Sequence, residues 1–196
     1  MLGTDFFARD VLVVARELVG KELRWGDCAG LIVETEAYGV TGDAACHTAS
    51  RKGARDFYAT NDAGTAYVYL NYGVYWLLNV LAKPAEGDSR SRHGIVLIRA
   101  LEPTEGLDQM RVRRNREKPE DLCSGPGKLG VALGIGSDDH GRPLVGTGVD
   151  THFRDGRAVG KVCSDVRVGI SKAKDFPWRF LAKGNPHVSI PLGKVK

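Results

Sequence analysis

Residues 66–80, AYVYLNYGVYWLLNV, narrow the possible folds more than any other stretch. Tyr67 and Tyr69 alternate with Val68 and Leu70, the two-residue period of a strand whose faces differ. Asn71-Tyr72-Gly73 suits a tight turn, and VYWLLNV then runs back as the return strand. The pattern predicts an antiparallel hairpin with Tyr72 at or beside its tip. Four of the chain's six tyrosines lie here: Tyr67, Tyr69, Tyr72 and Tyr75. A core rarely concentrates phenols, because each buried hydroxyl needs a partner. An aromatic core cluster explains Tyr67 or Tyr75, but explains Tyr72 poorly.

The rest of the chain extends this pattern. Residues 5–19 read as a helix capped by Thr4 and closed by Gly20. KELRW and AGLIVETEAY read as two strands around the turn Gly26-Asp27. Residues 39–65 read as a long irregular loop, and such loops often carry function. Residues 84–93 form a polar loop, and GIVLIRALE an apolar strand that contains one arginine. Pro103 fits the first turn of a helix over TEGLDQMRVRRN. SGPGKLGVALGI reads as a turn and short helix, 138–157 as loop and turn, VCSDVRVGI as a strand, and KDFPWRFLAKGNP as a short final helix or turn. Strands joined by short turns predict an α+β fold: one domain over 1–196, a curved antiparallel sheet with a protruding hairpin, flanked by helices.

At 196 residues the chain is long enough for one real core. No apolar run reaches the roughly 20 residues of a membrane span. The start, MLGTDFFARD, has no basic-then-apolar leader, so a cytoplasmic protein is expected, with no membrane partner. Cys28, Cys46, Cys123 and Cys163 match no zinc or redox spacing and read as free thiols. The net charge of +4 is mild, and its distribution says more. RVRRNREK (111–118) and SRSRH (89–93) are basic runs, readable either as solvated surface or as a phosphate-binding face.

Several groups could carry chemistry. Glu34 and Glu36, two apart on a strand, point to one face; alone they also fit an edge strand facing solvent. His47 and Asp43 lie nearby in sequence, but the spacing matches no metal motif, so neither metal nor cofactor is expected. Arg99, inside an apolar strand, must find an acceptor or reach a cleft. SGPGKLG lacks phosphate-loop spacing; what survives is a glycine-rich turn that could offer amides and Lys128 to a phosphate, or a plain helix entry.

An aromatic on an exposed hairpin tip suits proteins that wedge side chains into the base stack. Tyrosines behind it could stack on an extruded base, basic runs could hold the backbone, and a glutamate could activate water. Two other readings share these residues: a non-catalytic binder of distorted DNA, and a metal-dependent nuclease using Glu34, Glu36, Asp43 and His47.

The stretches ARELVGKEL, GLIVETEAYG, DAACH, AYVYLNYGVYWLLNV, GIVLIRALEPTEGLDQM, LCSGPGKLGVALGI, RVGIS and WRFLAKGNPHVS resemble, in order and over most of the chain, the alkyladenine (3-methyladenine) DNA glycosylase family of mammalian type. The resemblance implies a monofunctional glycosylase of base-excision repair: a monomer at the nucleoid that acts on double-stranded DNA containing alkylated or deaminated purines. It implies Glu36 as general base and Arg99 beside the attacking water. Tyr38, His47 and Tyr69 would sandwich the flipped base, and Asn79 would reject guanine's exocyclic amine. Tyr72 would be the wedge, with Val168 and Gly169 near the DNA backbone; Lys128 of the glycine-rich turn is placed there by its own reading as a phosphate contact. Cys46 stands where the family more often has Ala or Ser.

Overall fold

The computed structural model describes residues 1–85, 87–146 and 150–195. Two short helices open it, α1 (Thr4–Phe7) and α2 (Val11–Leu18). One helix over 5–19 is expected; Asp10 divides it, because its carboxylate accepts from Leu12 N–H at 2.8 Å and caps a new helix. Strands β1 (Glu22–Trp25) and β2 (Cys28–Gly39) follow, joined by Gly26-Asp27 with Gly26 at φ 56°. Residues 39–65 are not all loop. They contain α3 (His47–Ser50) and α4 (Lys52–Thr60), and α4 buries Ala54 and Tyr58, one turn apart, on its inner face.

The hairpin forms as expected, from β3 (Ala66–Asn71) and β4 (Tyr75–Ala82). Strand β5 (Gly94–Glu105) is longer than expected: it runs through Pro103, which faces Gly30 at a register shift. The helix placed at Pro103 starts only after Gly106, as α5 (Leu107–Arg114). Then come α6 (Pro119–Leu122), α7 (Pro126–Leu133) and a 3-10 turn at Ser137–Asp139. The segment read as loop holds β6 (Thr151–Arg154), and β7 (Val162–Asp165) lies where a strand is expected; residues 147–149 are outside the described set. In place of the expected final helix or turn stands β8 (Arg179–Ala182), whose four buried residues show no alternation to read.

These strands make one curled antiparallel sheet in the order β3-β4-β5-β2-β1-β6, with β8 on β2 and β7 on β8. Strand β2 pairs with β1 through Leu31 and with β8 from Glu34 to Glu36, so its two halves have different neighbours on one side. Where it changes partner, its ladder with β5 shifts twice, and neither Val33 nor Arg99 has an opposite residue. Such bulges bend a strand and re-aim side chains. On one face, Val11, Val14, Ala15 and Leu18 of α2 join the main core, and the Thr35 hydroxyl donates to Ala15 O at 2.7 Å. The other face carries a smaller cluster built from Cys46, Tyr58, Tyr67, Leu81 and Ile95.

Helix α7 lies against β4 at contact too close for side chains. A Cβ on Gly130 would stand 2.2 Å from Trp76 O, and one on Gly127 would stand 2.9 Å from the Tyr75 ring. Glycines of the SGPGKLG stretch thus serve helix-to-strand packing just below the hairpin turn.

Candidate active site

Pairing across the second face aligns Tyr67, Asn79, Leu97 and Glu36 as one row over four strands. Residues side by side on one face of a sheet are within contact reach; Tyr67 and Asn79 of this row form the floor of a site, with Glu36 two strands further along. Above it opens a cavity of about 290 Å³, whose lining includes Tyr38, His47, Arg51, Tyr69, Asn79 and Gly169. Its walls come from the end of β2, the helix entry at His47, the hairpin, Ile95 of β5 and the loop at Gly169 and Ile170. The rings of His47 and Tyr69 meet edge-to-face at 4.3 Å, and His47 Nδ1 lies 3.1 Å from the Tyr67 hydroxyl. Tyr67 is buried, as an aromatic core cluster requires, and its hydroxyl has that partner.

Burial, and then the positive charge of Arg51, push the His47 imidazole down to about 4. The ordinary value in an unfolded chain is about 6.5. Between these values the unfolded chain takes up a proton that the folded chain refuses. This group therefore removes stability as pH falls through that window and has no such effect above it. NMR titration is expected to show the His47 midpoint near 4; a midpoint in the ordinary histidine range would mean that the ring is not held in this environment.

Glu36 is fully buried and stands behind Tyr38 rather than on the cavity wall. Its Oε1 accepts from Val168 N–H at 2.7 Å, and its Oε2 accepts from the Tyr38 hydroxyl at 2.7 Å. Arg99 Nη1 lies 3.3 Å from the same Oε2. Burial, reinforced by the Glu36 carboxylate, holds the Tyr38 phenol well above its usual range, so it stays a donor. Glu34 shares the face but differs in company: Arg99, Arg179 and Ser189 all donate to it. Arg99 thus stands between the carboxylates, and neither fits a solvated edge strand.

Asp43 is taken up elsewhere. Arg167 Nη2 donates to Asp43 Oδ1 at 2.9 Å, and the carboxylate also accepts from Gly39 and Ala45 N–H. The Arg167 guanidinium lies 4.6 Å from the Tyr38 ring centroid and 5.3 Å from that of Trp178. This buried pair ties the loop leading to His47 to the loop carrying Val168. Among the described residues no three His, Cys, Asp or Glu side chains are placed to hold a metal ion. All four cysteines are free thiols, and Cys46 is buried in the cavity wall.

The hairpin tip shows the opposite behaviour. Tyr72 is 89% exposed, with Leu70, Val74 and Tyr75 also exposed around it. Tyr72 and Gly73 have φ of 51° and 71°, and Val74 N–H donates to Asn71 O at 3.0 Å. For a tyrosine the left-handed region costs about 1–2 kcal/mol. A strained, exposed ring at the cavity mouth has no packing reason in the free protein.

The remaining expected residues divide. Val168 turns its N–H inward to Glu36, while Gly169 lines the cavity. Lys128 is outside it, with its ammonium donating to the Ser124 hydroxyl at 3.1 Å. In the 111–118 run, Arg113 donates to Ala132 O and Arg114 to Leu122 O, so they close helix ends instead of facing a ligand. Arg51 lines the cavity, and its place four residues after His47 was the signal available for it.

Ring-walled, with an amide on the floor and a carboxylate–guanidinium set behind one wall, the cavity suits a flat heterocycle attached to something outside. An antiparallel sheet with such a pocket beside an exposed aromatic hairpin has the form of an enzyme that takes a ring system from a larger substrate. The methylpurine-DNA glycosylase family profile matches residues 5–186. A protein of Rhodopseudomonas palustris (strain ATCC BAA-98 / CGA009) is 45% identical over 192 residues, covering 98% of this chain and 89% of the relative. One from Prosthecochloris aestuarii is 42% identical (94% of this chain, 89% of the relative), and one from Agrobacterium fabrum 40% identical (94% and 90%). All three carry the provisional name 3-methyladenine DNA glycosylase. The chain belongs to the methylpurine-DNA glycosylase family. It is a hydrolytic DNA glycosylase of base-excision repair, with DNA as its substrate.

Proposed function

We propose that the enzyme flips alkylated or deaminated purines of the 3-methyladenine, 7-methylguanine and hypoxanthine class out of duplex DNA. It then hydrolyses the N-glycosidic bond with a water activated by Glu36. The observation that carries this reading is the Glu36 carboxylate held by Val168, Tyr38 and Arg99 directly behind the aromatic cavity. Tyr72 enters the duplex in place of the extruded nucleotide; extrusion costs a few kcal/mol, less at a damaged or mispaired base. The base lies between Tyr38 on one side and His47 and Tyr69 on the other. A base alkylated on a ring nitrogen is cationic, so the tyrosine faces add about 0.5–2 kcal/mol of cation–π attraction.

Asn79 supplies discrimination. Its amide nitrogen donates to Tyr67 O and Leu77 O, which holds the group where a guanine exocyclic amine would crowd it; unmodified guanine bears that penalty with a poor leaving group, whereas cationic 7-methylguanine offsets it by leaving readily. The 168–169 loop and Lys128 meet the DNA backbone. In the chemical step, water gives a proton to Glu36 and its oxygen bonds to C1′ as the C1′–N bond breaks. The electron pair leaves with the base: a cationic purine departs neutral, and a neutral one such as hypoxanthine takes a proton from solvent on a ring nitrogen as the bond breaks. All these groups lie on one chain, so a monomer suffices.

The test is incubation with a hypoxanthine- or methylpurine-containing duplex in EDTA, followed by hot alkali. Strand breaks only after alkali are expected. No breaks would indicate a binder of distorted DNA, and direct nicks restored by metal would indicate a nuclease; either result overturns the reading.

A further inference from the structure

We propose that Ser189 is a positioning residue for this reaction: acting through Arg99, it fixes the direction from which a guanidinium meets Glu36. The inference rests on the reading of Glu36 as the group that activates water.

Arg99 has three nitrogens, and each has its own partner. Nε donates to Glu34 Oε1 at 3.1 Å, Nη2 donates to Ser189 Oγ at 3.2 Å, and Nη1 faces Glu36 Oε2 at 3.3 Å. A guanidinium is a rigid planar fork. With two of its arms pinned, the direction of the third is no longer free. Ser189 does more than accept from Arg99. Its hydroxyl donates to Glu34 Oε1 at 2.9 Å, and its backbone N–H donates to Glu34 Oε2 at 2.6 Å. One hydroxyl thus gives its single proton to Glu34 and takes one from Arg99, which closes a triangle of Ser189, Glu34 and Arg99.

The triangle is anchored from the far side. Arg179 donates to Glu34 Oε1, to Ile190 O and to Asp165, while Gly193 N–H donates to the same Asp165 oxygen. Charges therefore alternate from Glu36 through Arg99, Glu34 and Arg179 to Asp165. The segment around Ser189, close to the C-terminus, is latched onto the end of this series away from the cavity. Glu34 and Glu36 are fully buried and Arg99 nearly so, which keeps screening water away and makes orientation count. The register shift that leaves Arg99 unpaired in the β2–β5 ladder gives its side chain this position between the two carboxylates.

The experiment uses the full chain and a hypoxanthine-containing duplex. It reads the single-turnover excision rate at saturating enzyme, duplex affinity by fluorescence anisotropy, and the melting temperature. Ser189→Ala is expected to slow the single-turnover step about ten- to a hundredfold, the factor for losing a hydrogen bond to a charged group. Duplex affinity stays within twofold. Ser189→Thr keeps the hydroxyl and recovers most of the rate, and in a Glu36→Gln background Ser189→Ala adds no further loss. Wild-type excision by Ser189→Ala overturns the proposal. So does an equal fall in rate and affinity in both the Ala and Thr variants, which would mark a structural role. Normal excision by Glu36→Gln would instead remove the reading on which the proposal stands, so the two failures are told apart in one set of assays.

Discussion

A Glu36→Gln enzyme is expected to hold a lesion-bearing duplex and fail to release the base. General-base assistance contributes about 10²–10⁴-fold, and the loss in single-turnover excision should fall in or beyond that range. The substitution preserves shape, so the cavity and its rings stay in place and affinity changes little. It does alter the hydrogen bonding behind Tyr38. The carboxylate accepts from Val168 N–H on one oxygen and from Tyr38, with Arg99 alongside, on the other. An amide has one oxygen, so its NH2 must face one of these donors. Tyr38 can turn its hydroxyl to accept, but Arg99 and Val168 cannot. A donor buried against a donor costs about 1–3 kcal/mol, so a modest fall in melting temperature should accompany the lost activity. Excision at a near-normal rate would take Glu36 out of the mechanism.

Tyr72 gives the second large effect, in which function and stability move in opposite directions. Tyr72→Ala removes the ring that would fill the gap in the base stack. A fluorescent lesion should then show a base-extrusion signal and lesion affinity reduced tenfold or more, which is about 1.4 kcal/mol, within the few kcal/mol that unstacking costs. Tyr72→Gly should lose as much extrusion while relieving the left-handed backbone, where φ is 51°, and should melt no lower than the parent. An unchanged extrusion signal in either variant would count against the wedge. A marked drop in melting temperature for the glycine variant would mean that the ring supports the hairpin itself.

Much of this could be read along the chain, for definite physical reasons. The hairpin was legible because Tyr67 to Leu70 alternate and Asn71-Tyr72-Gly73 is turn chemistry. The common face of Glu34 and Glu36 follows from strand periodicity, and the shared cavity of Tyr38, His47, Tyr69 and Asn79 was expected from the family resemblance rather than from spacing. What stayed hidden is long-range pairing of charges. Arg167 meets Asp43 across 124 residues and Arg179 meets Glu34 across 145, and no local pattern marks an arginine as buried. Strand β8 escaped notice because all four of its residues face packed neighbours, which erases alternation. The basic run at 111–118 stayed open between solvated surface and phosphate-binding face, because composition does not separate a guanidinium that closes a helix, as Arg113 and Arg114 do, from one that is free to meet phosphate.

Contact between α7 and β4 has a mechanical consequence. Gly130 lets the helix rest directly on the Trp76 carbonyl, and Gly127 lets it rest on the Tyr75 ring just below the turn. The finger that carries Tyr72 is therefore braced along its return strand. If Tyr72 enters the duplex as proposed, the deformation is expected to fall on the nucleic acid rather than on the hairpin.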